Sequence, residues 1–144
     1  MAAERDLFGF RVEINEEATR AWYVQADEWG CECGDCRNFL KHARDRALPA
    51  PVLEILDGLG IPPAKATYVC MLYSSDNGYL YEFSYRIAGN ILSGDENTYV
   101  PQDWGNIICF HEPYPYGAPG FPEPHFDLDF WLTLPWALDR PRKV

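Results

Sequence analysis

The chain has 144 residues, of which 22 are Asp or Glu and 12 are Lys or Arg, so its formal net charge is −10. A negative surplus of this size repels phosphate backbones and anionic membrane surfaces, which argues against nucleic acid and membrane partners. The length suits a single domain over residues 1–144, whose 47% of apolar residues can form a core without a disulfide or a metal.

The first half of the chain predicts one hairpin and two helices. Alternating apolar residues over 8–14 and an aromatic run over 20–25 are typical of two strands that form an opening hairpin. A first helix is expected where apolar residues recur at i, i+3, i+4 and i+7, which are Cys36, Phe39, Leu40 and Ala43. A second, strongly apolar helix is expected to begin near Pro51 and to end near Gly60.

The second half predicts strands. The segments 67–73 and 79–87 flank Asn77-Gly78, a pair that adopts the positive φ angles of a tight hairpin turn. Further strands are expected over 106–111 and 126–134, and the proline-rich segment 112–124 between them predicts a stiff loop. The whole pattern predicts an α+β fold, with an antiparallel β-sheet of about five to six strands and two helices packed on one face.

Two strand faces carry residues of functional interest. Four aromatic residues share one face of the central strand: Tyr79, Tyr81, Phe83 and Tyr85. They are either core beneath the helices or a stacking platform for a ligand. His125, Asp127 and Asp129 share one face of the last strand and could serve a hydrolase around a metal or a water. Ordinary alternation in an antiparallel strand predicts instead that this charged face meets solvent.

Three of the five cysteines fall within six residues, as Cys31-x-Cys33-x-x-Cys36. Thiolate sulfur is a preferred zinc ligand, and closely spaced ligands lose little loop entropy when they bind one ion. Tetrahedral zinc requires a fourth ligand. The candidates are on predicted strands: Cys109 and His111, which share a strand face, and Cys70.

Two other interpretations of these cysteines stay open. Cys33 and Cys36 form a CxxC pair at a helix start, which is typical of thiol–disulfide oxidoreductases because the helix dipole stabilises a thiolate. Glu32 and Asp35 beside the thiols oppose that chemistry, and the chain lacks a βαβ framework. Alternatively Cys36 is a small apolar core residue, and Cys31 and Cys33 are packing or bystander thiols in the loop before it.

Compartment follows from the N-terminus and the cysteines. The first residues lack the basic start and apolar run of a signal peptide, and no stretch approaches the ~20 apolar residues of a membrane span. An odd number of cysteines does not suit a set of structural disulfides. We therefore expect a cytoplasmic protein with reduced thiols.

The segment Cys31-Glu-Cys-Gly-Asp-Cys-Arg-Asn-Phe39 is followed by Leu59-Gly-Ile-Pro62 and by Leu134-Pro-Trp136. Together these segments resemble a family of small bacterial proteins of uncharacterised activity that share a CxCxxCxNF motif. The resemblance implies a bacterial origin, a domain that spans the chain and the cysteine segment as its signature. It implies no reaction.

No glycine-rich phosphate loop, nucleophile elbow or catalytic serine motif occurs in the chain. This favours a non-catalytic module that binds a small ligand or a protein, with zinc at the cysteines as the one cofactor to expect. A thiol–disulfide oxidoreductase is the alternative.

Overall fold

The computed structural model describes residues 2–111 and 117–142. Within them seven strands form one antiparallel sheet: β1 (Ala2–Leu7), β2 (Phe10–Asn15), β3 (Tyr68–Ser75), β4 (Gly78–Ser93), β5 (Val100–Gln102), β6 (Gly105–Phe110) and β7 (His125–Leu134). The hydrogen-bonded order is β1-β2-β4-β7-β6-β5. The long β4 pairs with β3 along its first half and with β2 along its second half.

Three helices precede most of these strands: α1 (Glu16–Gln25), α2 (Gly34–Arg44) and α3 (Ala50–Leu59). The α+β class and the antiparallel sheet are confirmed. The expected count of two helices and five to six strands is too low. The segment 20–25 is a helix and not a strand, and neither β1 nor the short β5 was expected.

The aromatic run over 20–25 is helical, which corrects the expected opening hairpin. The Asn15 side chain accepts a hydrogen bond from the Ala18 backbone N–H at 3.0 Å and so caps the start of α1. Strand β2 pairs instead with β1. Trp22 and Tyr23 then lie on the buried side of a helix, so their preference for strands is overridden by core packing.

The other elements agree with the sequence pattern. Phe39 and Ala43 are fully buried on the inner face of α2, as their spacing predicts. The β3–β4 hairpin turns at Asp76 and Asn77, and Gly78 begins β4. Of the expected Asn77-Gly78 pair only Gly78 has a positive φ, +134°, a value that glycine adopts readily. Gly60, at a φ of +71°, ends α3.

Of the proline-rich segment 112–124, residues 112–116 lie outside the described residues. The remainder folds back onto α1. Phe121 is buried with its ring centroid 4.9 Å from that of Trp22, and the Trp22 indole N–H donates to the Pro119 carbonyl at 3.1 Å. This part of the segment is therefore packed against the core.

The aromatic stripe of β4 is mainly core. Phe83 is fully buried between Phe39 of α2 and Phe130 of β7, at centroid distances of 4.9 and 5.3 Å. The buried hydroxyl groups find backbone acceptors, since Tyr81 donates to the Asp35 carbonyl and Tyr85 donates to a loop carbonyl, both at 2.7 Å. The stripe joins the helical layer to the sheet and satisfies its own polar groups.

No helix in the described part of the chain has the length and apolar character that crossing a membrane would require.

We expect Phe83→Ala to lower the free energy of unfolding by about 3–5 kcal/mol, because the substitution removes a ring packed between two layers. Urea denaturation followed by circular dichroism measures the change. The control Val24→Ala, at a side chain that is 77% exposed, is expected to stay within about 0.5 kcal/mol of the wild type. Equal effects of the two substitutions would contradict this account of the core.

Candidate metal centre

The three clustered cysteines lie where the loop after α1 enters α2. Cys31 and Cys33 are exposed, whereas Cys36 in the first turn of α2 is buried. Their three sulfur atoms all lie within 4.8 Å of one another. The expected split between a buried Cys36 and two loop thiols is confirmed, and yet the sulfurs remain close enough to share one ion.

Local backbone geometry creates this grouping. Cys33 is the N-cap residue of α2, and its sulfur accepts the Cys36 backbone N–H at 3.4 Å. One helical turn therefore brings the two sulfurs to the same side. The Cys31 sulfur lies 3.3 Å from that of Cys33. A cysteine thus occupies a position that serine, threonine or aspartate usually takes.

Trp29 anchors the loop and contacts the cluster. Its backbone N–H donates to the Ala64 carbonyl at 3.0 Å, and its ring lies edge-on to Tyr68 at a centroid distance of 6.4 Å. Its indole N–H donates to the Cys36 sulfur at 3.2 Å. The buried sulfur therefore has a directed donor that favours a charged thiolate.

The environment acts on the thiols in opposite directions. A hydrogen bond from the Cys33 backbone N–H, supported by one from the Cys36 side chain, lowers the pKa of Cys31. Burial raises the pKa of Cys36. The carboxylate of Asp35, which would oppose a thiolate, forms an ion pair with Arg142 whose Nε–Oδ1 distance is 2.8 Å. Cys31 is therefore a readier thiolate than Cys36, and a bound cation would favour ionisation of Cys36.

The strand residues expected to supply a fourth ligand lie elsewhere. Cys109 is buried opposite Leu128 in the β6–β7 pairing, whereas the start of α2 sits over Tyr81, opposite Leu132. Those positions on β7 are four residues, or about 13 Å, apart.

The other two candidates are also held away from the cluster. The His111 Nδ1 is 2.7 Å from a Glu96 carboxylate oxygen. Cys70 pairs with Glu82 in the β3–β4 ladder. In the described part of the chain, no other Cys, His, Asp or Glu places a ligand atom close enough to join the sulfurs of Cys31, Cys33 and Cys36.

A cleft of about 600 Å³ adjoins the cluster between the start of α2 and the segment after β7. The Asn38 side chain holds that segment in place, because it donates to the Pro135 carbonyl and accepts the Ala137 N–H, at 3.2 and 2.7 Å. Residues with apolar, cationic and anionic side chains line the cleft beside Cys33: Trp136, Leu138, Arg37, Arg140, Arg142, Glu32, Asp35 and Asp139.

The charged face of β7 is buried, which corrects the expectation that it meets solvent. Asp127 is 1% exposed and forms an ion pair with the Arg86 Nε at 3.1 Å. Asp129 is 0% exposed and accepts hydrogen bonds from the Ser84 hydroxyl and, at 2.6 Å, from the Tyr99 hydroxyl. Both carboxylates are engaged within the sheet, which gives the hydrolase interpretation no support.

A sequence signal for these pairs existed. Charged or hydroxyl residues alternate on β4 as they do on β7, and the register places Arg86 opposite Asp127 and Ser84 opposite Asp129. Matching polar positions on two paired strands indicate a buried network rather than a solvated face.

We expect the free energy of unfolding of the wild type to fall through Asp129 as pH rises above about 4, the ordinary pKa of an aspartate. Burial, followed by the charge of Glu82, raises the pKa of Asp129 well above its ordinary value. The folded state therefore retains a proton that the unfolded state releases, and the free energy of unfolding falls as pH rises.

Asp129→Asn is expected to make the free energy of unfolding less dependent on pH. The change in slope is at most ~1.4 kcal/mol per pH unit, the value for one proton. Urea denaturation at several pH values measures it. Asp76→Asn, at an exposed turn, serves as the matched control and should keep the wild-type slope. A parallel slope in the Asp129 variant would show that this carboxyl titrates normally.

No family model, curated protein or solved structure matches this chain. The resemblance carried by residues 31–39 therefore stays a prediction from sequence, and the chemistry of the cluster rests on its geometry.

Proposed function

We propose that the chain is a non-catalytic, cytoplasmic binding module in which Cys31, Cys33 and Cys36 hold one zinc ion. The observation that carries the proposal is the mutual approach of the three sulfur atoms to within 4.8 Å. Three thiolates at this separation can occupy three corners of one tetrahedral site.

The donors around the sulfurs support a metal. The Trp29 indole N–H and the Cys36 backbone N–H each point at a sulfur. Metal-bound ligands in proteins are typically oriented by such outer hydrogen bonds. A bound cation also offsets the burial that raises the pKa of Cys36, since the metal displaces the thiol proton.

Compartment and partner class follow from charge and redox state. All five cysteines are free, which suits a reducing cytoplasm. The net charge of −10 disfavours nucleic acid. The cleft beside Cys33 is the place where a small ligand or a protein segment would contact the module.

We expect the untagged wild type to bind one equivalent of zinc and Cys36→Ser to bind it more than about 100-fold less tightly, because outer-shell changes alone cost ~10–100-fold. Native mass spectrometry and competition with a chelator measure both. Cys70→Ser, a thiol substitution away from the cluster, should bind like the wild type. A metal-free wild type with all five thiols freely titratable would remove zinc from the proposal.

Trp29→Phe is expected to weaken zinc binding about 10-fold while it preserves most of the aromatic packing, because only the N–H donor to Cys36 is lost. Trp104→Phe is the control, since Trp104 packs against Phe8 and Phe130 away from the cysteines. An unchanged dissociation constant in Trp29→Phe would mean that the indole hydrogen bond does not tune the metal.

The second candidate function is thiol–disulfide exchange through Cys33 and Cys36. The observation that favours it is the placement of Cys33 as the N-cap of α2, with Cys36 one turn further on. The helix dipole favours a thiolate at that end. Insulin reduction by metal-free protein tests this function. Turnover that Cys36→Ser leaves undiminished would exclude this pair.

A further inference from the structure

We infer that the fourth coordination position at Cys31, Cys33 and Cys36 is filled by an imidazole from outside the chain, presented by a histidine of a partner polypeptide that lies in the adjoining cleft. This inference rests on the proposed zinc site and names the partner chemistry that the site selects.

The first step is that the position is open on one side. Cys36 forms the buried wall of the sulfur group, whereas Cys31 and Cys33 are exposed. No fourth Cys, His, Asp or Glu joins the group in residues 2–111 and 117–142. Tetrahedral zinc then has a vacant corner on the exposed side, and sites of this kind accept an external ligand there.

The chain's own histidines do not serve. The His42 Nε2 lies 2.7 Å from the Pro135 carbonyl and the side chain is buried, while His111 is engaged by Glu96. His125 is partly buried at the start of β7, with its ring 5.8 Å from that of Phe121. Of the three only His111 is exposed, so a second copy of the chain could present only that residue, and the His111→Gln variant below separates this source from a different polypeptide.

Charge selects a neutral donor. Three thiolates and one Zn²⁺ carry a single net negative charge, and a fourth thiolate would double it. The cleft does not compensate, because its three arginines are matched by three carboxylates: Arg37, Arg140 and Arg142 against Glu32, Asp35 and Asp139. Imidazole adds no charge and is a common zinc ligand.

The cleft selects a peptide over free imidazole. Its volume of about 600 Å³ exceeds what one five-membered ring fills. Trp136 supplies an aromatic wall beside Cys33, and the mixed charges around it can pair with the amide groups and charged ends of a peptide that carries a histidine. The extra contacts should tighten binding relative to the bare ring.

Cobalt(II)-loaded protein tests the inference, because the visible absorption of tetrahedral cobalt changes when a ligand is exchanged. We expect imidazole to alter the wild-type spectrum saturably, and the peptide Gly-His-Gly to do so with a dissociation constant about 10-fold lower, whereas Gly-Ala-Gly has no effect. His111→Gln and Cys109→Ala should leave the resting spectrum unchanged.

The outcomes separate the two claims. No cobalt uptake would refute the zinc site itself. If the protein takes up cobalt but imidazole does not alter the spectrum, the fourth coordination position is not open to an external ligand. A resting spectrum changed by His111→Gln or Cys109→Ala would likewise show that the chain fills this position itself. Either result would leave the metal site intact.

The cleft is tested by Trp136→Ala and, on an exposed side chain, by Arg140→Ala. Both are expected to reduce the peptide's advantage over free imidazole and to leave cobalt uptake intact, which also reports correct folding. Equal dissociation constants for peptide and imidazole in the wild type would show that the cleft does not bind the peptide. The same conclusion would follow if neither variant reduced the tighter binding of the peptide.

Discussion

The pairing of β4 with β7 is the constraint on which the rest of the structure depends. Ten residue pairs run without interruption from Tyr79 opposite Leu134 to Ala88 opposite His125. This register places the aromatic side chains of β4 on the face that packs beneath α2, and the charged side chains of both strands on the other face. A slip of one residue would exchange the two faces.

The position of the cysteine cluster depends on that register. The Tyr81 hydroxyl donates to the Asp35 carbonyl in the first turn of α2, and Asn38 holds the segment that follows β7. Tyr81 lies on β4 and Pro135 directly follows β7, so the sheet and the segment after it fix the start of α2, and with it Cys33 and Cys36. The cleft is formed by the same elements, since its other wall begins at Trp136, two residues beyond β7.

The buried charged residues of the sheet and the clustered cysteines differ in how their charges are balanced. The Arg86–Asp127 pair and the Asp129 carboxyl are buried, and their partners lie on β4 and at Tyr99 just before β5, so losing one partner would leave an uncompensated buried group. Cys31 and Cys33 lie at the surface and Cys36 is buried beneath them. Thiolates at this separation need a positive charge beside them, which is the physical basis of the proposed metal site.

The sequence by itself determined the elements that depend on near neighbours. The i, i+3, i+4, i+7 spacing from Cys36 to Ala43 places α2 and buries Cys36, and the segment Asp76-Asn77-Gly78 places the β3–β4 hairpin, because both follow from local backbone geometry. The proximity of the three cysteines likewise follows from six residues of chain and one helical turn.

Tertiary structure alone decided what depends on distant partners. Trp22 and Tyr23 favour strands locally, yet a capped helix buries them. Asp127 is buried because Arg86, 41 residues away in the chain, lies opposite it. Cys109 is separated from the cluster by strand register, which no local spacing encodes. Cross-strand pairing couples residues far apart in the chain, and so it determined which charges are buried and which cysteine lies away from the cluster.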